Sequence, residues 1–393
     1  MEIRSTTEQD RETFVDTLFA AFGRCPASED AVWSALEWDR GSIAVADGRA
    51  VGTAAAYSFE LTLPGEVVVP AGGVTAVGVL PTHRRGGVLT AMMRHQLADA
   101  RARGEFLSVL LATEAVIYRR FGYGPATTTH RLTVPRHRAA PRRTAVPAEG
   151  SIEVLRRAEC GDLLEEVYDR YRRGRPGALS RPHHWWARGA GQPPISAAPR
   201  YVALHRDAGG VPDGYATYLL DETLTVDETI AAGDAVATAL TRFLLDHDLA
   251  TQVVFRHCPP EHPLRWQLAD FRAARISDET DWLWVRLLDV PRALAARGWA
   301  SDGDLVLDVD DPFLGERGRY LLTVRDGKGD CVATDREPDL SLDVSDLGSV
   351  YLGGVTPGTL VRAGQIRAHH PDAASLADAL FRTGRAPHCL HWF

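Results

Sequence analysis

Residues 74–97, VTAVGVLPTHRRGGVLTAMMRHQL, constrain this chain more than any other stretch. An apolar β-type run from Val74 to Val79 ends at Pro81. Arg84, Arg85, Gly86 and Gly87 then make a turn, and Val88, Leu89, Met92, Met93 and Leu97 follow at helical spacing. Strand, Gly-rich turn and helix in that order present free backbone N–H groups and the positive end of a helix dipole to an anion.

At 393 residues, two or three domains of ~150 residues are expected. Hydrophobic residues at 45% and charged residues at 24% describe a soluble globular chain. Its apolar runs are interrupted well short of the ~18 residues of a spanning helix, so no membrane segment is expected. The opening MEIRSTTEQDRETF is polar and acidic, unlike a signal peptide. Five scattered cysteines (Cys25, Cys160, Cys258, Cys331, Cys389) without a CxxC pair read as reduced and structural, in a cytoplasmic protein. The net charge of −8 argues against a nucleic-acid partner. Residues 301–346, with thirteen Asp/Glu against five Lys/Arg, match that whole deficit and read as a solvated face.

Thr6 or Thr7 is placed to cap a helix running to about residue 22. Residues 43–57 read as a hairpin turning at Asp47-Gly48, with strands at 59–63 and 66–80 after it. The run 106–113 has buried-strand length, EAVIYRRFGYG reads as a short helix ending at Gly122, and 126–134 as a further strand. Residues 1–134 thus form one α/β unit. Residues 135–150, rich in Pro, Ala and Arg, are expected to be a linker or mobile loop. A second α/β unit is expected over 151–289, with DWLWVRLLDV (281–290) as its last strand. Residues 290–393 hold a helix at 290–298, a meander of four strands, a helix at 345–354 and a short helix near 373–382.

The segments VTAVGVLPTHRRGG (74–87), YRRFGYGPATT (118–128), WLWVRLLDVPRALAARGW (282–299), LGSVYLGG (347–354) and the terminal Phe393 resemble, in order, the Eis (enhanced intracellular survival) family of N-acetyltransferases. The resemblance implies an α/β (α+β) chain of two GNAT-type domains, the central one degenerate, followed by a sterol-carrier-protein-like domain. It also implies acetyl-CoA as acetyl donor, an amine as acceptor, and assembly as a homo-hexamer.

By that resemblance, the backbones of Val77 and Val79 pair with pantetheine amides. The turn of Arg84, Arg85, Gly86, Gly87 and Val88 cradles the pyrophosphate, and Thr113 meets pantetheine. Two tyrosines compete for the acid that protonates the leaving thiolate, Tyr118 and Tyr123. The family match selects Tyr118, a phenol that stays protonated at neutral pH. It assigns the base to the α-carboxylate of Phe393, with Glu114 as the alternative. Phe22, Arg24, Trp33, Glu37 and Trp392 are the expected acceptor pocket. Arg24 and Trp392 stand where acidic groups would serve a polycationic aminoglycoside, so that preference carries over weakly. His183 and His184 are set aside as a metal site for want of an acidic partner, and no metal is expected. Two competing readings are a lipid or sterol carrier working through the C-terminal domain and an acyltransferase for longer acyl-CoA.

Overall fold

The computed structural model describes residues 1–24, 36–186 and 200–393. The chain forms two compact units, one of Met1–Thr127, Trp282–Gly384 and Phe393, the other of Thr128–Asp281 and Arg385–Trp392. Among the described residues no helix is long and apolar enough to cross a membrane.

The first unit contains a seven-stranded sheet in the order Glu2–Ser5, Ser42–Ala46, Arg49–Leu63, Val67–Val79, Leu107–Leu111, Leu283–Leu287 and Gly124–Pro125. Asp47 and Gly48 both have positive φ (50° and 74°), the backbone of a tight hairpin turn whose twist suits its strands. The strand after it runs unbroken from Arg49 to Leu63, so the expected separate strand at 59–63 is its far end. Val67–Val79 and Leu107–Leu111 run parallel, which requires a crossover. The helix Val88–Ala102 supplies it, burying Val88, Met92, Met93 and Leu97. The N-terminus departs from expectation, because a strand at Glu2–Ser5 precedes the helix, which spans Arg11–Ala21.

The second unit repeats this plan in the order Arg275–Asp281, Thr128–Pro135, Gln252–Cys258, Thr223–Ala231, Pro212–Leu220, Tyr201–Arg206 and Ser151–Arg156. Its parallel pair, Thr223–Ala231 with Gln252–Cys258, is joined by the helix Asp234–Leu245. Two strands change places relative to the sequence reading. Thr128–Pro135, expected to finish the first sheet, pairs with Gln252–Cys258 and Arg275–Asp281. Leu283–Leu287, expected as the last strand of the second sheet, pairs with Leu107–Leu111 and Gly124–Pro125. Both runs have ordinary β composition, and strand partners are set by non-local packing. The stretch expected to be a linker is tied down within the second unit. Arg142 N–H donates to Gln267 O at 2.7 Å, Ala148 N–H donates to Ala235 O at 2.9 Å, and Ala139 is buried.

A five-stranded sheet completes the first unit, in the order Lys328–Ala333, Glu316–Arg325, Gly303–Asp311, Leu340–Asp343 and Arg367–Ala368. Leu340–Asp343 lies parallel to Gly303–Asp311 rather than extending the meander. The four described cysteines are buried thiols, and Cys25 lies outside the described residues.

Candidate active site

Val67–Val79 and Leu107–Leu111 pair at only three positions, Gly72, Gly73 and Val74 against Ser108, Val109 and Leu110. Past Val74 the first strand continues to Val79, held on its other side by Arg49–Leu63, while no described strand pairs with its inner edge. The register slips between Thr53 and Ala55, with Ala76 in the left-handed region at φ 51°. Thr53 Oγ1 donates to Ala76 O at 2.9 Å and pins this bulge. A bulge bends its strand and re-aims neighbouring groups; here it sits just before the half-buried Val77 and Val79, on the stretch that no described strand pairs on its inner side.

At the end of that edge Arg85 (φ 64°) and Gly87 (φ 83°) curl the chain into the helix Val88–Ala102. Gly87 is its N-cap, with no side-chain cap and no acidic residue in the first turn. A Cβ on Gly87 would meet no atom within 4 Å, so glycine serves conformation there and the mouth stays open. The N–H groups of a 15-residue helix therefore face outward with their dipole, a fitting site for phosphate. Arg84 makes two backbone contacts. Its guanidinium donates to Ala21 O at 2.6 Å and Val79 O at 3.2 Å, bracing the turn against the preceding helix. Arg85 is exposed.

Tyr118 ends the four-residue helix Ala115–Tyr118 and is 8% exposed. It packs in one cluster with Val74, Leu110 and Tyr123, where the two strands part. Burial pushes its phenol up to about 12, and among the described residues no hydrogen bond offsets that. Tyr123 is fully buried, 6.3 Å away ring to ring, with its hydroxyl 2.7 Å from Ser108 Oγ. Its hydroxyl is thus occupied by structure, and burial drives its pKa higher still. Thr113 and Glu114 are exposed at the end of Leu107–Leu111. Glu114 holds the N-cap position of the short helix but makes no capping hydrogen bond.

Phe393 is 8% exposed, and its ring stands edge-on to Phe59 at 4.9 Å. A Cβ on Gly73 would come within 3.1 Å of Phe393 Cε2. Successive strand residues face opposite sides of a sheet. Tyr118 packs with Val74 and Phe393 stands over Gly73, so the two lie on opposite faces of the parting point.

Beneath Gly72 lies a network the sequence does not announce. Arg40 and Glu105 form a buried bidentate ion pair with both contacts at 2.7 Å. Arg40 Nη1 also donates to Ser58 Oγ at 2.8 Å, and Ser58 gives its hydroxyl and its N–H to Glu37 at 2.5 and 2.7 Å. Glu37, expected as an acceptor-pocket acid, is thus bonded to Ser58. Phe22 (55% exposed) and Arg24 sit exposed at the end of the helix Arg11–Ala21. Trp33 lies outside the described residues. Trp392 belongs to the second unit and is half-buried. His183 does find an acidic partner, Glu165 Oε2 at 2.9 Å; Asp162 joins them in a solvent-facing group.

The chain matches the acetyltransferase (GNAT) domain family over residues 2–126, a second GNAT family over 177–287, and the sterol carrier protein domain over 290–390. The N-acetyltransferase Eis of Mycobacterium tuberculosis is 36% identical over 403 aligned positions, covering 96% of each chain. An N-acetyltransferase of Streptomyces avermitilis is 40% identical over 418 positions, covering 100% of this chain and 99% of that protein. The crystal structure of Eis1 from Mycobacterium abscessus superposes with a TM-score of 0.88 at 36% identity, covering 100% of both chains. With two GNAT domains and a C-terminal sterol-carrier-type domain, this chain belongs to the Eis family of N-acetyltransferases.

Proposed function

We propose that this chain transfers the acetyl group of acetyl-CoA to an amine of a small molecule by direct attack in a ternary complex. The observation that carries the reading is the parted strand pair, with a phenol on one face and the last residue of the chain on the other. Acetyl-CoA supplies the thioester. Its amide-bearing arm suits the unmatched edge at Val77 and Val79, and its pyrophosphate suits the N–H groups from Arg84 to Val88, with Arg85 adding charge. Thr113 stands at the end of the neighbouring strand.

The acceptor nitrogen attacks the carbonyl carbon, the carbon–sulfur bond breaks, and the sulfur takes up a proton. Tyr118 donates toward that sulfur. Its high pKa keeps the O–H intact, and the same desolvation raises the basicity of a thiolate beside it, so the pair stays matched. The α-carboxylate of Phe393 receives or orients the amine proton. Phe22, Arg24 and Glu37, all in the first unit, are the described residues assigned to the acceptor pocket. Assembly as a hexamer and a cytoplasmic location belong to the same proposal; the family resemblance supports the first and the four buried free thiols the second.

A lipid-carrier role finds little support. Arg297, 1% exposed, fills the heart of the C-terminal domain, donating to the carbonyls of Tyr351 and Phe381 and lying over the Trp299 ring at 4.3 Å.

Extending the chain by a Gly-Ser tail tests the proposal. Turnover, read as free-thiol release with a panel of amines, should be mostly lost, while acetyl-CoA binding by calorimetry stays nearly unchanged. Full turnover by the tailed enzyme would remove Phe393 from the reaction. Failure of the untailed enzyme to bind acetyl-CoA would refute the proposal as a whole.

A further inference from the structure

We infer that Asp346, in the C-terminal domain, is a positioning residue for Tyr118, acting through Arg119. The inference rests on the role proposed above for Tyr118. The helix Ala115–Tyr118 has four residues and continues only into the 3-10 turn Arg119–Phe121, which ends at the left-handed Gly122. An element that short has almost no intrinsic stability, so the direction of the phenol must be set from outside.

What sets it comes mainly from beyond residue 280. Arg119 Nη2 donates to Asp346 Oδ1 at 2.6 Å, and the Asp346 side chain is only 2% exposed. Phe121 stands edge-on to Phe313 at 4.9 Å. Gly122 leaves room for the Arg286 guanidinium, which is fully buried and paired with Asp311. A Cβ on Gly124 would run into Ser345 and Ser349, and one on Gly348 would run into Val285 O. The helix Val344–Tyr351, buried along its whole length, thus lies backbone to backbone against the residues flanking the turn. The glycines and rings fix its distance. Arg119–Asp346 is the directional contact, and it joins the residue immediately after Tyr118.

A buried carboxylate is costly unless paired, and breaking such a pair leaves the remaining charge uncompensated. Burial also holds the Asp346 carboxyl above the usual carboxylate range despite Arg119. The pair therefore has one favourable geometry, and that geometry fixes the rotation of the short helix and with it the phenol.

The test is a cycle of Asp346→Asn and Tyr118→Phe, with Arg119→Gln as a milder second break on the exposed side of the pair. Asp346→Asn should lower kcat by ~10-fold or more, a share of the ~10²–10⁴ available from a general acid. KM for acetyl-CoA should stay within about twofold, because the cofactor edge is separate. In the Tyr118→Phe background, Asp346→Asn should cost less than about twofold, since the group it positions is gone. The same loss in both backgrounds would make Asp346 merely structural, and no loss in either would also overturn the inference. Arg119→Gln should reproduce the pattern if Asp346→Asn fails to fold. Undiminished turnover by Tyr118→Phe alone would instead refute the acid assignment under Proposed function.

Discussion

Replacing Gly73 with Ala adds one methyl group where the last residue of the chain meets the sheet. Gly73 has no positive φ, so the backbone tolerates Ala and the whole effect is steric. The new Cβ would stand less than 3.0 Å from the Phe59 ring and 3.1 Å from Phe393 Cε2. Carbon atoms rest at roughly 3.5–4.0 Å, so Phe59 must retreat by about an ångström and Phe393 by a few tenths. Overpacking of this size costs about 1–3 kcal/mol of stability. A reacting group moved by about 1 Å can cost ~10² in rate, so a shift of a few tenths should cost up to about tenfold. Gly73→Ala should therefore lower kcat by up to about tenfold, lower the melting temperature by several degrees, and leave KM for acetyl-CoA nearly unchanged. Adding Phe59→Leu should restore part of the turnover by returning volume to the same spot. Steady-state thiol-release kinetics and a thermal melt on each variant give the readout. Wild-type kcat in Gly73→Ala would show that the position of the Phe393 ring has no bearing on the reaction.

Two further outcomes are expected. Tyr118→Phe should reduce turnover by ~10²–10⁴ with little change in melting temperature, whereas Tyr123→Phe should mainly destabilise, since it removes a buried hydrogen bond to the Ser108 hydroxyl; the reverse pattern would exchange their roles. In the second unit, burial holds His257 and His262 down at about 4 and His388 well below its ordinary value, with Arg175 disfavouring charge on His262 and His388. An unfolded chain binds these protons near pH 6.5 and the folded one does not, so stability is complete above ~6.5 and declines as pH falls toward 4. Melting curves between pH 7.5 and 4.5 should show that decline, and His388→Phe should make it shallower; an unchanged slope in that variant would dismiss the histidines as its source.

Local features of this chain were readable because their cause is local. Asp47-Gly48 demands a tight turn, and the spacing of Val88, Met92, Met93 and Leu97 demands a helix with one buried face. The Arg–Gly turn before that helix announced an open helix N-terminus, though not that Arg84 would donate its guanidinium to Ala21 and Val79. Partnership over long separations was not readable. Nothing in Thr128–Pro135 or Leu283–Leu287 records which sheet each joins. Ala76 carries no glycine to mark its left-handed backbone. Arg119 and Asp346 stand 227 residues apart, so neither hints at the other. The Arg40–Glu105 pair was hidden for the same reason, two ordinary charges whose burial is decided by the sheet above them.

The exchanged strand also sets a timetable for synthesis. Leu283 donates its N–H to Thr127 Oγ1 across 156 residues, and the strand it begins lies between Leu107–Leu111 and Gly124–Pro125. Ribosomes add roughly 5–20 residues per second, so the first sheet waits about 8–30 s for its sixth strand. During that interval the edge of Leu107–Leu111 is open to pairing with other chains. A gene truncated after the first GNAT region would make that interval permanent, and its product should be recovered from the insoluble fraction unless residues 282–288 are supplied on the same chain or as a peptide.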